Sequence, residues 1–363
     1  MLAEKPILLV GTQKGLFRLS PGAAGKEWRV EGPHIEGYEV PHVLASRFEP
    51  GVLLAAARHK IWGAHLYRSE DRGRTWVSLP AAPAHPEGEV APALRAVWFL
   101  AESPHDGTWL AGIDPAGLFV SRDRGATWSP VTGLNQHPTR HLWEPAKGGF
   151  PVHSVHVDPG NERCWYAAVS AGGAFRSDDA GARWTPINAG VRAENRPDRF
   201  PVAGHNIHRL VMHPARPERL YRQCYNGVYR SDDRGGHWTE ITSNLPSDFG
   251  YALVCDPNDP DTVYQAPVAG SHLRTAPGGR LSVYRTRDAG VSWESVSRGL
   301  PEEHVYVTVL REAMDLLPGD PPSLCFGTSG GHVFVSGDAG NRWSVARAYL
   351  PRVLSVRMLE APS

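Results

Sequence analysis

Three histidines occupy matching positions in the sequence, each near the start of a short apolar run. They are the second residues of Pro41-His42-Val43, Val152-His153-Ser154 and Ile207-His208-Arg209. Three converging imidazoles can bind a divalent transition metal such as zinc, manganese or iron, leaving a coordination position open for water or substrate. Without a metal they can act as general acids or bases. A third interpretation is that they line a channel and bond only to water and backbone.

Tyrosines occupy the equivalent position in two later runs, Gly250-Tyr251-Ala252 and Val305-Tyr306-Val307. We expect Tyr251 and Tyr306 to complete a ring of side chains with the histidines and to orient a substrate. Arg95 is predicted to join this ring from another run. His205 lies just before the run that contains His208 and is a further predicted substrate-binding residue.

Carboxylates are the second set of residues that could carry chemistry, because glycosidases generally use a pair of them to flank the scissile bond. Asp248 lies two residues before the run with Tyr251 and is the strongest single candidate for an acid. Glu144 is a second catalytic candidate, from a long loop. Asp114 precedes Pro-Ala-Gly and is better explained as a turn residue.

Loops supply the remaining candidates. Trp98 and Trp143 would either stack on sugar rings or pack against the protein. Arg274 lies in the unusually long segment 269–280, and two further long segments span 132–151 and 188–205. Loops beyond about 12–15 residues inside a compact domain are usually functional or disordered. Three such loops on one face therefore favour a ligand site there.

A repeated octapeptide positions these residues. The pattern [ST]-x-D-x-G-x-x-W occurs six times, each copy after a short alternating run typical of a strand. Its Asp can accept backbone N–H groups within a tight turn, its Gly allows a positive φ, and its Trp offers an apolar face to neighbouring sheets. Six copies at intervals of 50 to 56 residues fit a scaffold better than catalytic or metal-binding aspartates. The copies end at Trp76, Trp128, Trp184, Trp238, Trp293 and Trp343.

The period predicts a β-propeller with four strands per blade. A seventh copy without its Asp precedes Trp28. Residues 7–11 look like the second strand of a blade, and residues 353–358 can supply its missing innermost strand. We therefore predict an all-β, seven-bladed propeller with Asp-box turns, a single domain over 1–363, and one blade shared by the two termini so that no sheet edge stays open. The innermost strand of the sixth blade is expected to begin at His304.

The octapeptide is the Asp-box, and the chain resembles the sialidase-like Asp-box (BNR repeat) β-propellers. These belong to the WD40-YVTN-BNR-like propellers, which are often described as glycosyl hydrolase or exo-alpha-sialidase. The resemblance covers nearly the whole chain. It implies a ligand site on the face opposite the Asp-boxes and a glycoside hydrolase-like activity. Sialidases of this kind use an arginine triad, a Tyr nucleophile supported by Glu, an Asp and an Arg-Ile-Pro motif. This sequence contains no Arg-Ile-Pro.

Composition narrows the class of protein. Lysines and arginines number 38, as do aspartates and glutamates, so no nucleic-acid partner or anionic membrane surface is expected. No stretch approaches the roughly 20 apolar residues of a membrane span, and the first residues do not resemble a signal peptide. The four cysteines fall singly in predicted strands, which indicates free thiols and a cytoplasmic protein.

We therefore expect a hydrolase or lyase-type enzyme, glycoside hydrolase-like by resemblance, that acts on a small-molecule or carbohydrate-like ligand. In it His42, His153 and His208 would bind one metal or act as acid and base, beside Asp248 and Glu144. The rival expectation is a non-catalytic binding or assembly scaffold that uses the same face. A carboxylate pair or a metal among the histidines would favour the enzyme.

Overall fold

The structure of the protein, a computed structural model, describes residues 6–22, 27–86, 93–145, 149–194 and 196–361. Seven four-stranded antiparallel sheets form the blades, each with its strands ordered a to d from the central axis outward. The seven-bladed architecture predicted from the repeat is confirmed.

The strands follow one another blade by blade along the chain. The N-terminal three are β1 (Ile7–Thr12), β2 (Gly15–Pro21) and β3 (Trp28–His34). Blade one contains β4 (Glu39–Ala45), β5 (Leu53–His59), β6 (Gly63–Ser69) and β7 (Val77–Ser78). Blade two contains β8 (Ala96–Glu102), β9 (Trp109–Asp114), β10 (Gly117–Ser121) and β11 (Ser129–Pro130). Blade three contains β12 (Val152–Asp158), β13 (Asn161–Val169), β14 (Gly173–Ser177) and β15 (Thr185–Pro186). Blade four contains β16 (Ile207–His213), β17 (Arg216–Cys224), β18 (Val228–Ser231) and β19 (Thr239–Glu240). Blade five contains β20 (Gly250–Asp256), β21 (Asp259–Pro267), β22 (Tyr284–Thr286) and β23 (Glu294–Ser295). Blade six contains β24 (Met314–Leu317), β25 (Ser323–Gly327), β26 (Val333–Ser336) and β27 (Ser344–Arg347), and the last strand is β28 (Val353–Leu359).

The long loops contain short helical turns. They are α1 (Thr132–Asn135), α2 (Gly270–Leu273) and the 3₁₀ turns Pro138–Leu142 and Pro277–Gly279.

The termini close the ring as predicted. Strand β28 is the innermost strand of the seventh blade and pairs antiparallel with β1, Val356 lying opposite Val10. The Ser355 hydroxyl donates a hydrogen bond to the Val40 carbonyl of blade one at 2.9 Å. The C-terminal strand therefore satisfies the edge of β1 and links the shared blade to its neighbour.

The Asp-box aspartates are turn residues, as the repeat predicted. In the first box, Asp71 accepts the backbone N–H groups of Arg74 and Thr75, each at 2.9 Å. Burial raises the pKa of Asp71, but hydrogen bonds from Thr75, Ser69 and Arg74 outweigh it and lower the pKa to about 2. Gly73 has a φ of 86°, and Arg72 before it has a φ of 59°. The positive φ predicted at the box Gly is thus confirmed, and a second left-handed residue precedes it, which the sequence pattern did not indicate.

The last three box tryptophans tie neighbouring blades together. The indole N–H of Trp238 donates to the Ile187 carbonyl of the preceding blade at 2.8 Å, and the ring is 1% exposed. Trp293 makes the equivalent bond to Ile241 at 2.7 Å. Trp343 bonds likewise to the Val296 carbonyl at 2.7 Å, whereas the indoles of Trp76 and Trp184 donate to carbonyls of their own boxes. In the last three boxes the repeat therefore supplies adhesion between blades as well as a turn.

Blade six departs from the prediction. Its innermost strand begins at Met314, not at His304, because the backbone of the preceding segment bonds to loops instead of a sheet. The Val305 N–H donates to the Gly279 carbonyl at 2.9 Å. Tyr306 is consequently 68% exposed and lies outside the predicted ring of inner-strand residues.

The four cysteines, Cys164, Cys224, Cys255 and Cys325, are free thiols, as predicted. Within the described part of the chain, no helix has the length and apolar character needed to cross a membrane.

Candidate functional site

A cleft of about 420 Å³ opens on the face that carries the loops joining strands b to c and strands d to a. We call this the upper face, and the Asp-boxes lie on the opposite one. Loops from the inner ends of blades three to six form its walls, so it lies where the sequence predicted a site. Its lining residues are Glu144, Pro145, Ser170, Arg196, Asn206, His208, Tyr225, Phe249, Tyr251, Ser271, His272, Arg274 and Arg311.

Four rings form one wall of this upper cleft. His208 lies 4.8 Å from Tyr251 and 5.0 Å from Phe249, measured between ring centroids, and Phe249 lies 5.4 Å from Tyr225. The Tyr225 and Ser271 hydroxyls are hydrogen-bonded at 2.5 Å. Tyr225 and Tyr251 are only partly buried. The wall therefore offers apolar ring faces with hydroxyl groups beside them, a common pattern in small-ligand sites.

Three arginines and one carboxylate give the cleft its charge. Arg196 reaches across two loops to Glu144, with Nη1 and Oε2 2.9 Å apart. Arg274 donates from Nε to the Ser271 carbonyl of its own loop at 3.0 Å. Arg311 lies over the ring of Trp98, its guanidinium carbon 5.5 Å from the ring centroid. Burial lowers the pKa of Arg311 to about 10, so the side chain stays cationic at neutral pH.

The cleft brings together four of the residues predicted from sequence, which are Glu144, His208, Tyr251 and Arg274. The other predicted residues lie outside its lining. They are His42, Arg95, Trp98, Trp143, His153, His205, Asp248 and Tyr306.

The inner-strand histidines link neighbouring blades. His153 is fully buried and bonds through Nε2 to the Ile207 carbonyl of blade four at 2.8 Å. His208 bonds through Nδ1 to the Gly250 carbonyl of blade five at 2.7 Å. Burial is the main cause that lowers the pKa of both, that of His208 to about 3, with Arg311 acting in the same direction. Both imidazoles are therefore neutral, and one nitrogen of each is committed to a backbone carbonyl.

His42 faces the channel instead. Its Nε2 lies 3.5 Å from the Glu312 carboxylate, which also pairs with Arg209 from blade four. Burial is the main cause that holds the pKa of His42 well below its usual range, and the positive charges of Arg357 and Arg209 add to it. Groups from blades one, four and six thus meet across the axis. The contact closes a polar network and does not bring His42 to the other two histidines.

This arrangement does not fit the metal that the sequence suggested. Over the residues the structure describes, no group of three or more His, Cys, Asp or Glu side chains is placed to hold an ion. His153 and His208 each engage a neighbouring strand, and His42 lies against Glu312. His153 and His208 bond to backbone carbonyls, as the third interpretation expected, whereas His42 contacts a carboxylate.

The carboxylates are dispersed. Glu144 lines the cleft, 74% of its side chain exposed. Asp248 is exposed on the loop before β20, and its backbone carbonyl accepts the Gln223 side-chain amide at 2.9 Å. Asp114 is buried at the end of β9, where its carboxylate pairs with Arg95 at 2.6 Å and accepts the Phe150 N–H. Among the described residues, Glu144 alone supplies a carboxylate to the cleft lining.

The remaining predicted residues pack against the protein. Trp143 is 5% exposed, its ring stacked on His137 at 6.1 Å. Trp98 is covered by the guanidinium groups of Arg58 and Arg311. His205 bonds through Nε2 to the Pro201 carbonyl, and burial lowers its pKa to about 4.

Sequence reasoning missed several lining residues. Ser170 and Tyr225 each directly follow strand b of their blades, in β13 and β17. Counting from the strand ends would have placed both on the upper face. Phe249 and Asn206 directly precede β20 and β16 and carry the same signal. Arg311 could not be found from predicted strand ends, because it would fall inside a strand that began at His304. It lies on a loop only because β24 begins at Met314.

The comparisons with known proteins agree with the architecture. Residues 66–79 and 228–241 match the BNR-Asp box repeat family. A xyloglucanase from Paenibacillus sp is 27% identical over 179 residues, 45% of this chain and 16% of that protein. An oligoxyloglucan-reducing end-specific xyloglucanase from Emericella nidulans is 26% identical over 261 residues, 63% of this chain and 30% of that protein. The chain thus spans less than a third of the length of these curated relatives.

Solved structures share the fold. The GH74 xyloglucanase from Xanthomonas campestris superposes with a TM-score of 0.67 at 20% identity, over 95% of this chain and 53% of that one. YCF48, solved bound to D1 peptide, superposes with a TM-score of 0.53 at 15% identity, over 93% of this chain and 88% of that one. Together with the six Asp-boxes and the seven sheets, these matches identify the chain as a seven-bladed β-propeller built on BNR-Asp box repeats.

Proposed function

We propose that this protein binds a carbohydrate-like ligand in the upper cleft, as a glycoside hydrolase-like propeller. The observation that carries the proposal is the wall formed by Tyr225, Phe249 and Tyr251. Sugar rings pack their apolar faces on aromatic side chains, and hydroxyl and amide groups beside the rings set their orientation. Ser271 and Asn206 supply such groups in this cleft. The curated relatives named as xyloglucanases support the same ligand class.

Calorimetric titration with a panel of neutral and acidic oligosaccharides tests this proposal. Tyr251→Ala is expected to weaken binding at least tenfold, because it removes one of the two partly exposed ring faces. Tyr349→Ala is the matched control, since Tyr349 is 92% exposed on another upper loop outside the cleft. A protein that binds no member of the panel, or loses affinity equally in both variants, would refute the proposal.

Hydrolysis is a second candidate function, favoured by the xyloglucanase relatives. Glu144 would serve as one carboxylate. Asp248 would be the other, since it adjoins Phe249 at the cleft wall. A glycosidase of the usual kind needs both. Release of reducing ends from xyloglucan oligosaccharides that stops in both Glu144→Gln and Asp248→Asn would establish it. Unchanged release in either variant would exclude this pair.

A further inference from the structure

The charge of the upper cleft carries information about its ligand beyond the aromatic wall. Of its three arginines, Arg196 is paired with Glu144 at 2.9 Å. Arg274 and Arg311 have no carboxylate within ion-pair distance among the described residues. The cleft therefore holds two guanidinium groups outside any described ion pair. Burial lowers the pKa of Arg311 and the charge of Glu312 opposes that shift, but the Glu312 carboxylate is itself paired with Arg209.

Arg311, like Arg196, is partly buried, whereas Arg274 is exposed. The Nη1 of Arg311 is buried and has no hydrogen-bond partner in the part of the chain that the structure describes. Leaving a buried, charged donor unsatisfied is costly, and the usual remedy is an acceptor with negative charge. The ring of Trp98 covers one face of the guanidinium and provides no acceptor oxygen. Nη1 itself is closed to solvent. Among the described residues, no acceptor takes a bond from the other two guanidinium nitrogens of this partly buried, cleft-lining side chain, so a ligand with an anionic oxygen can accept from them.

Arg274 is held at the rim by its own loop. The residue directly follows α2 as its C-cap, with a φ of 54°, and its Nε donates to the Ser271 carbonyl. Its own carbonyl accepts the Thr308 hydroxyl, which anchors the loop against the segment before Arg311. Among the described residues no acceptor takes a bond from its two terminal nitrogens, so they remain for a ligand.

The positive charges of Arg274 and Arg311 affect the pKa values of two residues of the aromatic wall. After burial, Arg311 and Arg274 both contribute to the lowered pKa of His208. Burial raises the pKa of Tyr251, and the same two arginines act in the opposite direction. The wall on which a sugar would pack and the two free cations therefore belong to one site.

We propose that the ligand of the upper cleft is an acidic saccharide, its carboxylate bound by Arg311 and Arg274 and its sugar rings packed on Tyr225 and Tyr251. Guanidinium groups bind carboxylates through paired, charge-assisted hydrogen bonds, which makes them selective for this group over a neutral hydroxyl. This inference rests on the proposed carbohydrate-binding function and adds the chemical class of the sugar.

The test compares trigalacturonate with its fully methyl-esterified form by isothermal titration calorimetry. The two probes share their sugar rings and differ in the negative charge of the carboxyl groups. The acid is expected to bind at least tenfold more tightly than the ester. Arg274→Gln and Arg311→Gln are each expected to remove most of that difference. Arg280→Gln is the matched control, because Arg280 is an exposed arginine on the same loop that does not line the cleft.

The outcomes separate the two proposals. Equal binding of acid and ester overturns the acidic-ligand inference and leaves the carbohydrate-binding function standing. A loss of affinity in Arg280→Gln as large as in Arg274→Gln also overturns it, because the attraction would then be a general surface charge effect. Failure of trigalacturonate, its ester and neutral xyloglucan oligosaccharides to bind refutes both. Since Arg274 is exposed, its variant keeps the test valid even if Arg311→Gln does not fold.

Discussion

Acidification below pH 6.5 should destabilise this propeller through its buried, neutral histidines, and His156 allows that effect to be measured for one residue. Its Nε2 bonds to the Leu210 carbonyl of blade four at 2.9 Å. Burial is the main cause that lowers its pKa to about 4, and the positive charges of Arg209 and Arg47 add to it. The folded protein therefore resists protonating this imidazole, whereas the unfolded chain does not.

The sign and size follow from proton linkage. The unfolded histidine titrates near pH 6.5, so between pH 6.5 and 4 the unfolded state binds more protons and gains stability relative to the fold. The stabilisation is complete above pH 6.5 and is lost as the pH falls to about 4. For pKa values of about 6.5 and about 4, lowering the pH from 7 to 5 costs roughly 2 kcal/mol at this one residue.

Urea unfolding followed by tryptophan fluorescence at pH 8, 7 and 5 measures the effect. His156→Gln can still donate an amide N–H to the Leu210 carbonyl but does not titrate. The decline in unfolding free energy from pH 7 to 5 should therefore be smaller in the variant by roughly 2 kcal/mol. Between pH 8 and 7 the two proteins should change in parallel. An identical decline from pH 7 to 5 in both proteins would refute the argument.

Three further perturbations test other parts of the structure. Asp71→Ala should lower the unfolding free energy by about 1–2 kcal/mol, because it leaves the Arg74 and Thr75 N–H groups without their acceptor. Glu70→Ala in the same box removes only an exposed pair with Arg68, and it should change the unfolding free energy by less than about 1 kcal/mol. Equal effects of the two substitutions in urea titrations would contradict the turn role of Asp71. Deleting residues 353–361 should abolish the single cooperative calorimetric transition, since β1 would lose its inner partner β28; a truncated chain that keeps the full-length Tm would contradict the shared blade. Dialysis against a chelator should leave Tm and ligand binding unchanged, because His153 and His208 are bonded to backbone carbonyls. Elemental analysis that finds one metal per chain, absent from the His153→Gln variant, would contradict this prediction.

The scaffold could be predicted because its determinants are local. A box such as 231–238 specifies its own turn, since Ser231 and Asp233 bond to N–H groups only a few residues away. Copies of that turn at a regular spacing then imply equal blades. The predicted closing strand over 353–358 is observed as β28, because a blade that starts at its second strand must find its first strand elsewhere in the chain.

The site was predicted less well because its determinants are not local. His42, His153 and His208 occupy like positions in sequence, yet His208 alone lines the cleft. An inner-strand side chain can turn to the next blade or to the axis, and the neighbouring strand decides which. His153 meets a carbonyl of β16, while His42 meets Glu312 from across the ring. The alternating run around Tyr306 looked like a strand for the same reason, since alternation does not reveal which partner will satisfy the backbone.

By itself, therefore, the sequence determined the repeat, the number of blades, the closure of the ring and the face on which the upper cleft opens. Only the tertiary structure decided which residues meet there. Turn chemistry and strand alternation act over a few residues, but Glu144, Arg196, Tyr225, Arg274 and Arg311 come from different loops and converge only when the ring closes. The positive charge of the cleft arises from that convergence, because the equal numbers of basic and acidic residues give no sign of it in the composition.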